Sequence, residues 1–261
     1  MKLGVLYSVW NGLELLSGSI NQIINDVDHI VICYQKVSNK GETNPTIIDD
    51  IYEIINGFDS TKFIIIGFEP NLIVNTKQNE TNKHNKMIDT ARKSGCTHFL
   101  FAACDHYYDT AQFKRAKTFC EQNKYSHTFT EMITYYKHDT WALWPLEDYY
   151  APFICELGPD TKIDMAAPYP LRNDPATKIK PIKKYMIFSM DNIIMHHYSM
   201  IRKDIENKFR NAAASIRWTP EQIEQFTKEY KYASLGDRIF YFQGRQLVLS
   251  ETILKENPIL R

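Results

Sequence analysis

The first hundred residues alternate short apolar runs with amphipathic stretches, a pattern that fits a mostly parallel sheet covered by helices on both faces. Leu3–Ser8, His29–Cys33, Phe63–Gly67 and His98–Ala103 read as strands. Between them Leu13, Leu16, Ile20, Ile23 and Ile24 recur at helical spacing, as do Ile47, Ile51, Ile54 and Ile55, and then Met87, Ala91 and the residues up to Ser94-Gly95. Gly95 suits the position after a helix, where a left-handed backbone carries no steric cost for glycine. Such a half-sheet binds ligands beyond the carboxyl ends of its strands, which singles out Ser8–Gly12, Tyr34–Ser38, Gly67–Pro70 and Cys104–Tyr108.

After a predicted helix from Asp109 to about Asn123 the chain turns aromatic, through Tyr125–Tyr136 and Trp141–Phe153. Gly158–Lys184 is rich in proline and basic residues and reads as irregular, partly exposed chain. A strand is expected at Tyr185–Ser189 and a helix from Tyr198 to Ala214. Thr219-Pro220-Glu221-Gln222 opens another helix, with threonine as cap and proline in the first turn.

Thirty-one basic residues balance thirty-one acidic ones, so no net field exists to hold nucleic acid or an anionic membrane non-specifically. The five cysteines lie in apolar stretches without the paired spacing of a disulfide framework or a zinc site, which suits a reducing compartment. The N-terminal residues enter a strand at once, without the pattern of a secretory leader, and no run approaches the roughly 20 apolar residues of a membrane span. A cytoplasmic location is expected, in the host cell if the chain is viral.

The segment Lys83-His84-Asn85 through Ser94-Gly95-Cys96-Thr97-His98-Phe99-Leu100-Phe101 to Asp105 resembles family 2-like glycosyltransferases of the GT-A type, in which a K/R-x-N helix leads to a strand ending in Asp-x-Asp. Here Ala103-Cys104-Asp105 keeps the second aspartate alone. His196-His197-Tyr198-Ser199-Met200-Ile201-Arg202-Lys203 through Phe209 resembles a second family segment, H-aromatic-S-x-x-R-x-x-I-x-x-K, whose histidine completes a metal site and whose basic helix lies near the diphosphate. The resemblance implies a Rossmann-like, mostly parallel GT-A domain over residues 1–214, with a C-terminal helical extension, 215–261, folded on it. It implies a nucleotide-diphosphate sugar as donor and a divalent ion on Asp105 and His197. Hard cations select oxygen ligands, whereas imidazole favours a transition metal, so Mn2+ is expected ahead of Mg2+. Adjacent residues of an extended segment face opposite ways, so one histidine of the pair should serve, and the family pattern selects His197 over His196.

Other donor contacts are expected from Tyr7 or Trp10, whose rings can stack on a base. Lys83 and Asn85, read at a helix start, and Arg202 and Lys203 behind the histidines, are candidates for phosphate or ribose. In Trp141–Phe153 the pair Glu147-Asp148 is the candidate acceptor-side base, since the attacking hydroxyl must lose a proton. Each has a plainer reading: Asp105 as a helix cap, the histidines as buried structural groups, Tyr7 and Trp10 as core, and Glu147-Asp148 as complements of a helix dipole.

The acceptor stays open between glycan, protein and a nucleic-acid base. The last rests on the basic residues Arg172, Lys178, Lys180, Lys183 and Lys184 and on an Asn-, Ile- and Lys-rich composition compatible with an AT-rich viral genome. Two alternatives use the same fold: a sugar nucleotidyltransferase, disfavoured because Ser8–Gly12 lacks a basic residue, and a nucleotide-sugar-binding protein without transferase activity. The aromatic tail, including Trp218, Phe226, Tyr230, Tyr232, Phe240, Tyr241 and Phe242, is expected to supply a helix and a strand.

Overall fold

The apolar runs near the N-terminus become β1 (Leu3–Val9), β2 (His29–Tyr34), β3 (Phe63–Gly67) and β4 (His98–Ala103), joined by α1 (Leu13–Ile23), α2 (Ile48–Ile55) and α3 (Thr76–Lys93). The computed structural model describes residues 1–44, 48–212, 218–239 and 248–251. β1 pairs in parallel with both β2 and β4, and β2 with β3, so β1 is fully covered and Leu3, Val5, Leu6 and Tyr7 have no exposed surface. Strands buried on both faces read as continuous apolar runs, which explains why their positions were plain in the sequence. Gly95 follows α3 with φ of 76°, and its neighbour Ser94 closes the helix as cap. Ile47, part of the apolar stripe assigned to the second helix, lies outside the described residues.

Beyond β4 come β5 (His106–Tyr107), α4 (Thr110–Asn123), β6 (His127–Thr130), β7 (Met132–Tyr136), β8 (His138–Trp144) and β9 (Ala151–Glu156). β10 (Lys162–Ile163), β11 (Ile179–Lys180), β12 (Tyr185–Ile187) and β13 (Met195–Met200) follow, then α5 (Ile205–Asn211), α6 (Pro220–Tyr232) and β14 (Val248–Glu251). The main sheet has the order β12-β6-β9-β4-β1-β2-β3, in which β9 alone runs against its neighbours. This is the mostly parallel, helix-flanked α/β arrangement expected of the GT-A type.

A second, five-stranded sheet has the order β14-β8-β7-β13-β5. It overturns one sequence expectation. Tyr198–Ala214 is not one helix: Tyr198–Met200 ends β13, a short link follows, and α5 begins at Ile205 after its cap Asp204. The run Met-His-His-Tyr-Ser-Met is β-branched-poor but flanked by β5 and β7, and this pairing fixes it as a strand whatever its local preference. Ala214 and Ser215, at the expected domain boundary, lie outside the described residues, as do Phe240, Tyr241 and Phe242. The plainer reading of Glu147-Asp148 as complements of a helix dipole also falls, since β8 and β9 flank a loop that carries both residues.

α6 opens with the expected capping box: Thr219 accepts from the Gln222 backbone and the Gln222 side chain accepts from the Thr219 backbone. Its buried Phe226 meets Phe209 of α5, with Tyr136, Leu143 and Met200 of the second sheet in the same apolar cluster. β14 extends that sheet beside β8, with Val248 opposite Trp144. The tail therefore adds both a helix and a strand. Among the described residues no helix is long and apolar enough to cross a membrane. All five cysteines are buried and unpaired.

Candidate active site

The two sheets meet where β4 ends. Asp105 follows β4 after one residue, Cys104, and its backbone carbonyl accepts from the Tyr198 N–H of β13 at 2.8 Å, which joins the main sheet to the second one. In the second sheet β13 lies between β5 and β7, and the register sets His197 opposite His106 on one side and opposite Thr134 on the other. Side chains alternate along a strand and directly opposed residues share a face, so Thr134, His197 and His106 form one row across three strands. The His106 and His197 rings meet edge to face with centroids 5.3 Å apart. His196 points the other way, where its Nδ1 lies 2.8 Å from the Tyr135 hydroxyl and its ring stacks on Tyr135.

Asp105 is buried beside this row, and its carboxylate serves two neighbourhoods. One oxygen, Oδ2, accepts from Arg202 in a buried ion pair and lies 3.5 Å from Lys208 Nζ. The other, Oδ1, lies 3.7 Å from His106 Nε2. Burial alone would raise this carboxyl; Arg202 foremost, then Lys208, His197 and His106, overcome that and hold it well below the usual carboxylate range. Burial pushes His197 down to about 3 and lowers His106, both against the pull of Asp105, so both imidazoles are neutral near pH 7. Asp105, His106 and His197 each offer a ligand atom, all within 4.8 Å of one another. A neutral imidazole pair beside an ionised carboxylate is a fitting donor set for a divalent cation.

Arg202 sits against the turn after β1. Gly12 there has φ of 85°, and a Cβ at that position would fall 1.3 Å from Arg202 Nη1. Only glycine both adopts that backbone freely and leaves room for the guanidinium. The Arg202 side chain is 5% exposed, yet its Nε and Nη1 have no hydrogen-bond partner among the described residues. Trp10 Nε1, on the same turn, is also without one, as is His106 Nδ1. Buried donors left without partners are costly and rare. Together they describe a polar cradle for an acceptor-rich ligand. Two cations faced by one carboxylate leave it electropositive, which suits an anion.

Glu147 comes to the same place from the β8–β9 loop. The Thr134 hydroxyl donates to Glu147 Oε1 at 2.6 Å and lies 3.4 Å from His197 Nδ1. Asp148, its neighbour, is exposed and ion-paired with Arg172, whose guanidinium stacks on Tyr149. The structure thus brings Asp105, His197, Arg202 and Glu147 together and sends Asp148 outward.

Other expected site residues lie elsewhere or act structurally. Tyr7 is fully buried, with its hydroxyl 2.8 Å from Ser19 Oγ, which in turn donates to the His106 carbonyl at 2.6 Å; it cannot stack on a base. Lys83 and Asn85 sit in the middle of α3, not at its start. Lys83 is buried at the carboxyl end of β2, where it donates to Gln35 Oε1 at 2.6 Å. Asn85 pairs with both backbone groups of Ile163 and so fastens β10 to α3. Lys203 is exposed, its backbone N–H reaching Glu14 at 3.3 Å. The basic run is largely engaged locally: Lys180 with Asp164, Lys183 with Glu156, Lys184 over the Tyr125 ring and Lys178 on the Ala167 carbonyl. A cleft of about 680 Å3 beside α3, β10 and β11 lies apart from this cluster, and its Arg92 already donates to Gly158 and Thr161 carbonyls.

The sequence does not single out His106, Thr134 or Gly12 as site residues; Lys208 enters it as the closing lysine of the family segment, on the basic stretch expected near the diphosphate. The signal for His106 was its place directly after Asp105; Thr134 had none, because only the β7–β13 register brings it to His197.

Neither a protein-family profile nor a curated protein matches this sequence. Solved structures do. The chain is similar to residues 1–349 of TarS from S. aureus, with a TM-score of 0.50 and 12% identity over 89% of this chain and 73% of that one. The same TarS segment in complex with UDP-GlcNAc gives a TM-score of 0.50 at 12% identity, over 89% of this chain and 74% of that one. That likeness establishes the fold.

Proposed function

We propose that this chain is a glycosyltransferase that binds a nucleotide-diphosphate sugar at the junction of the two sheets and transfers the sugar to an acceptor hydroxyl or base. One observation carries this reading: Arg202, buried against Gly12 with two unpartnered nitrogens and paired to Asp105. A guanidinium so placed offers planar donors to a phosphate oxygen, which is what it is suited to recognise. The TarS segment with the same fold was solved with UDP-GlcNAc, so a uridine diphosphate sugar is the first donor to try.

In this reading Arg202 and Lys208 bind the diphosphate, Lys83 offers a further cation on the β2 side, and Trp10 borders the nucleotide. Asp105 and His197 hold a divalent ion, Mn2+ ahead of Mg2+, which when bound offsets charge on the departing nucleotide as a Lewis acid. Asp105 also orients Arg202, because the guanidinium cannot leave its buried partner without exposing an unpaired charge. Glu147, through whichever of its oxygens meets the acceptor, is the base that removes the acceptor proton; Asp148, turned to Arg172, is not. The nucleotidyltransferase alternative gains nothing, as the turn after β1 supplies a glycine and borrows its cation from Arg202. A binding protein without turnover is separated by experiment.

The test is binding of UDP and UDP-GlcNAc by calorimetry or thermal shift, with and without Mn2+, in the wild type and Arg202→Lys. A ligand at 100 times its dissociation constant stabilises the fold by about 2.7 kcal/mol. Arg202→Lys should lose most of that shift. No nucleoside diphosphate or its sugar stabilising the wild type would remove the reading; stabilisation with no sugar released from the donor, with or without acceptor, favours the binding protein.

A further inference from the structure

We propose that His106 is a third protein ligand of the divalent ion, completing a two-histidine, one-carboxylate face with His197 and Asp105, and that Thr134 and Glu147 fix the His197 tautomer that binds. The inference rests on the metal part of the proposed function and not on the sugar donor.

The register supplies the first argument. His106 and His197 are directly opposed on adjacent antiparallel strands, and Asp105 immediately precedes β5. Asp105 Oδ2 belongs to Arg202, which leaves Oδ1, the oxygen turned to His106, for an ion. The three ligand atoms lie within 4.8 Å of one another; bonds of about 2.1 Å to one ion place such atoms roughly 3–4 Å apart. Small side-chain rotations close that gap.

The protons supply the second. A metal-binding imidazole needs one nitrogen bare and normally donates from the other. Thr134 has one hydroxyl proton, and Glu147 Oε1 at 2.6 Å receives it. The Thr134 oxygen is then an acceptor toward His197 Nδ1 at 3.4 Å, which keeps the proton on Nδ1 and the lone pair on Nε2. For His106 the backbone is the fixed point: Ser19 of α1 donates to its carbonyl at 2.6 Å, while the ring's Nδ1 has no partner among the described residues. Two imidazoles on one ion discriminate against Mg2+, which prefers oxygen.

The experiment is a Mn2+ titration followed by electron paramagnetic resonance, with Co2+ absorption as a second probe of nitrogen ligation. It uses the wild type, His106→Gln, His106→Ala, Thr134→Val, Glu147→Gln and, as a control on the opposite face, His196→Gln, each checked by its melting curve. Expected are one bound Mn2+ that Mg2+ displaces only at 100-fold excess or more, and a tenfold or greater loss in both His106 variants with a changed Co2+ spectrum. A several-fold loss in Thr134→Val and Glu147→Gln, and wild-type binding in His196→Gln, complete the expectation. If His106→Ala does not fold, His106→Gln decides. Wild-type Mn2+ affinity in the folded His106 variants overturns the ligand assignment, as does displacement by equimolar Mg2+ or no Mn2+ bound by the wild type; unaltered affinity in both Thr134→Val and Glu147→Gln overturns the tautomer part. Added UDP separates the readings: a Mn2+ signal that follows this pattern yet ignores UDP sinks the donor and leaves the ligand set standing.

Discussion

At the scale of single residues, Asp105 is the position on which the others depend. It is an ion-pair partner as well as a candidate ligand, so Asp105→Asn should do more than remove metal: it strands Arg202 and Lys208 in a buried place. Losing one partner of a buried pair costs about 3 kcal/mol or more, and a lowered melting temperature together with lost donor binding is the expected result. Gly12→Ala is the complementary change. The side chain must occupy the space of the Arg202 guanidinium at a φ of 85°, with backbone strain of roughly 1–2 kcal/mol and an at least tenfold weaker UDP affinity; unchanged affinity would mean Arg202 is not in the donor site. For the carboxylate pair, Glu147→Gln should lower kcat by about 100-fold or more while donor affinity at saturating Mn2+ stays near wild type, and Asp148→Asn should leave turnover unaltered. Equal losses in the two variants would return the base to the open pair that the sequence presents. Asp105 and His197 were legible because both sit in short patterns; Asp148 was indistinguishable from Glu147 in sequence because only the β8–β9 loop decides which one turns inward.

At the scale of elements, the legible parts were those whose local preference and tertiary burial agree. β1 to β4 needed only their apolar runs, and α6 needed only Thr219-Pro220-Glu221-Gln222. The second sheet was not legible. Its strands are rich in Tyr, His and Thr and, apart from the β7–β8 hairpin, pair across long separations, so Tyr198–Met200 reads as the start of a helix and Trp141–Phe153 shows no strand period. α5 is short and hangs on Phe209, whose partner is Phe226 of α6. Phe226→Ala should therefore cost about 3 kcal/mol and also weaken donor binding, because α5 carries Lys208 to Asp105. Thr219→Ala removes the same helix's cap for about 1 kcal/mol and should leave donor binding alone. Both are read by thermal melts with and without UDP; a donor affinity untouched in Phe226→Ala would show that α5 holds its place without α6.

At the scale of the whole molecule, buried neutral histidines set an acid limit on the fold. Burial lowers His84 and His127 to about 4, His84 while donating to the Ala176 carbonyl and His127 at the edge of β6. In the unfolded chain these rings take up a proton near pH 6.5, so the unfolded state binds more protons between that value and about 4. Their contribution is complete above pH 6.5 and is lost as pH falls, on the order of 2 kcal/mol each by pH 5. Equilibrium denaturation at pH 7 and 5 should show the drop, and His127→Gln should flatten it; an equal drop in that variant would put the acid sensitivity elsewhere.

The register of the second sheet also sets when the candidate site is completed during the protein's own synthesis. β1 to β4 are contiguous, and their pairings close within the first hundred or so residues. The cluster draws on Gly12, Asp105, Thr134, Glu147, His197 and Lys208, and β14, at residues 248–251, is laid beside β8 only after that. Domains gain structure as they emerge from the ribosome, N-terminal part first, and pairings between distant segments wait longest. A nascent chain halted after β4 would thus carry Gly12 and Lys83 without Asp105, Arg202 or Lys208, and the cluster proposed to bind donor would be completed only late, with β13 and α5.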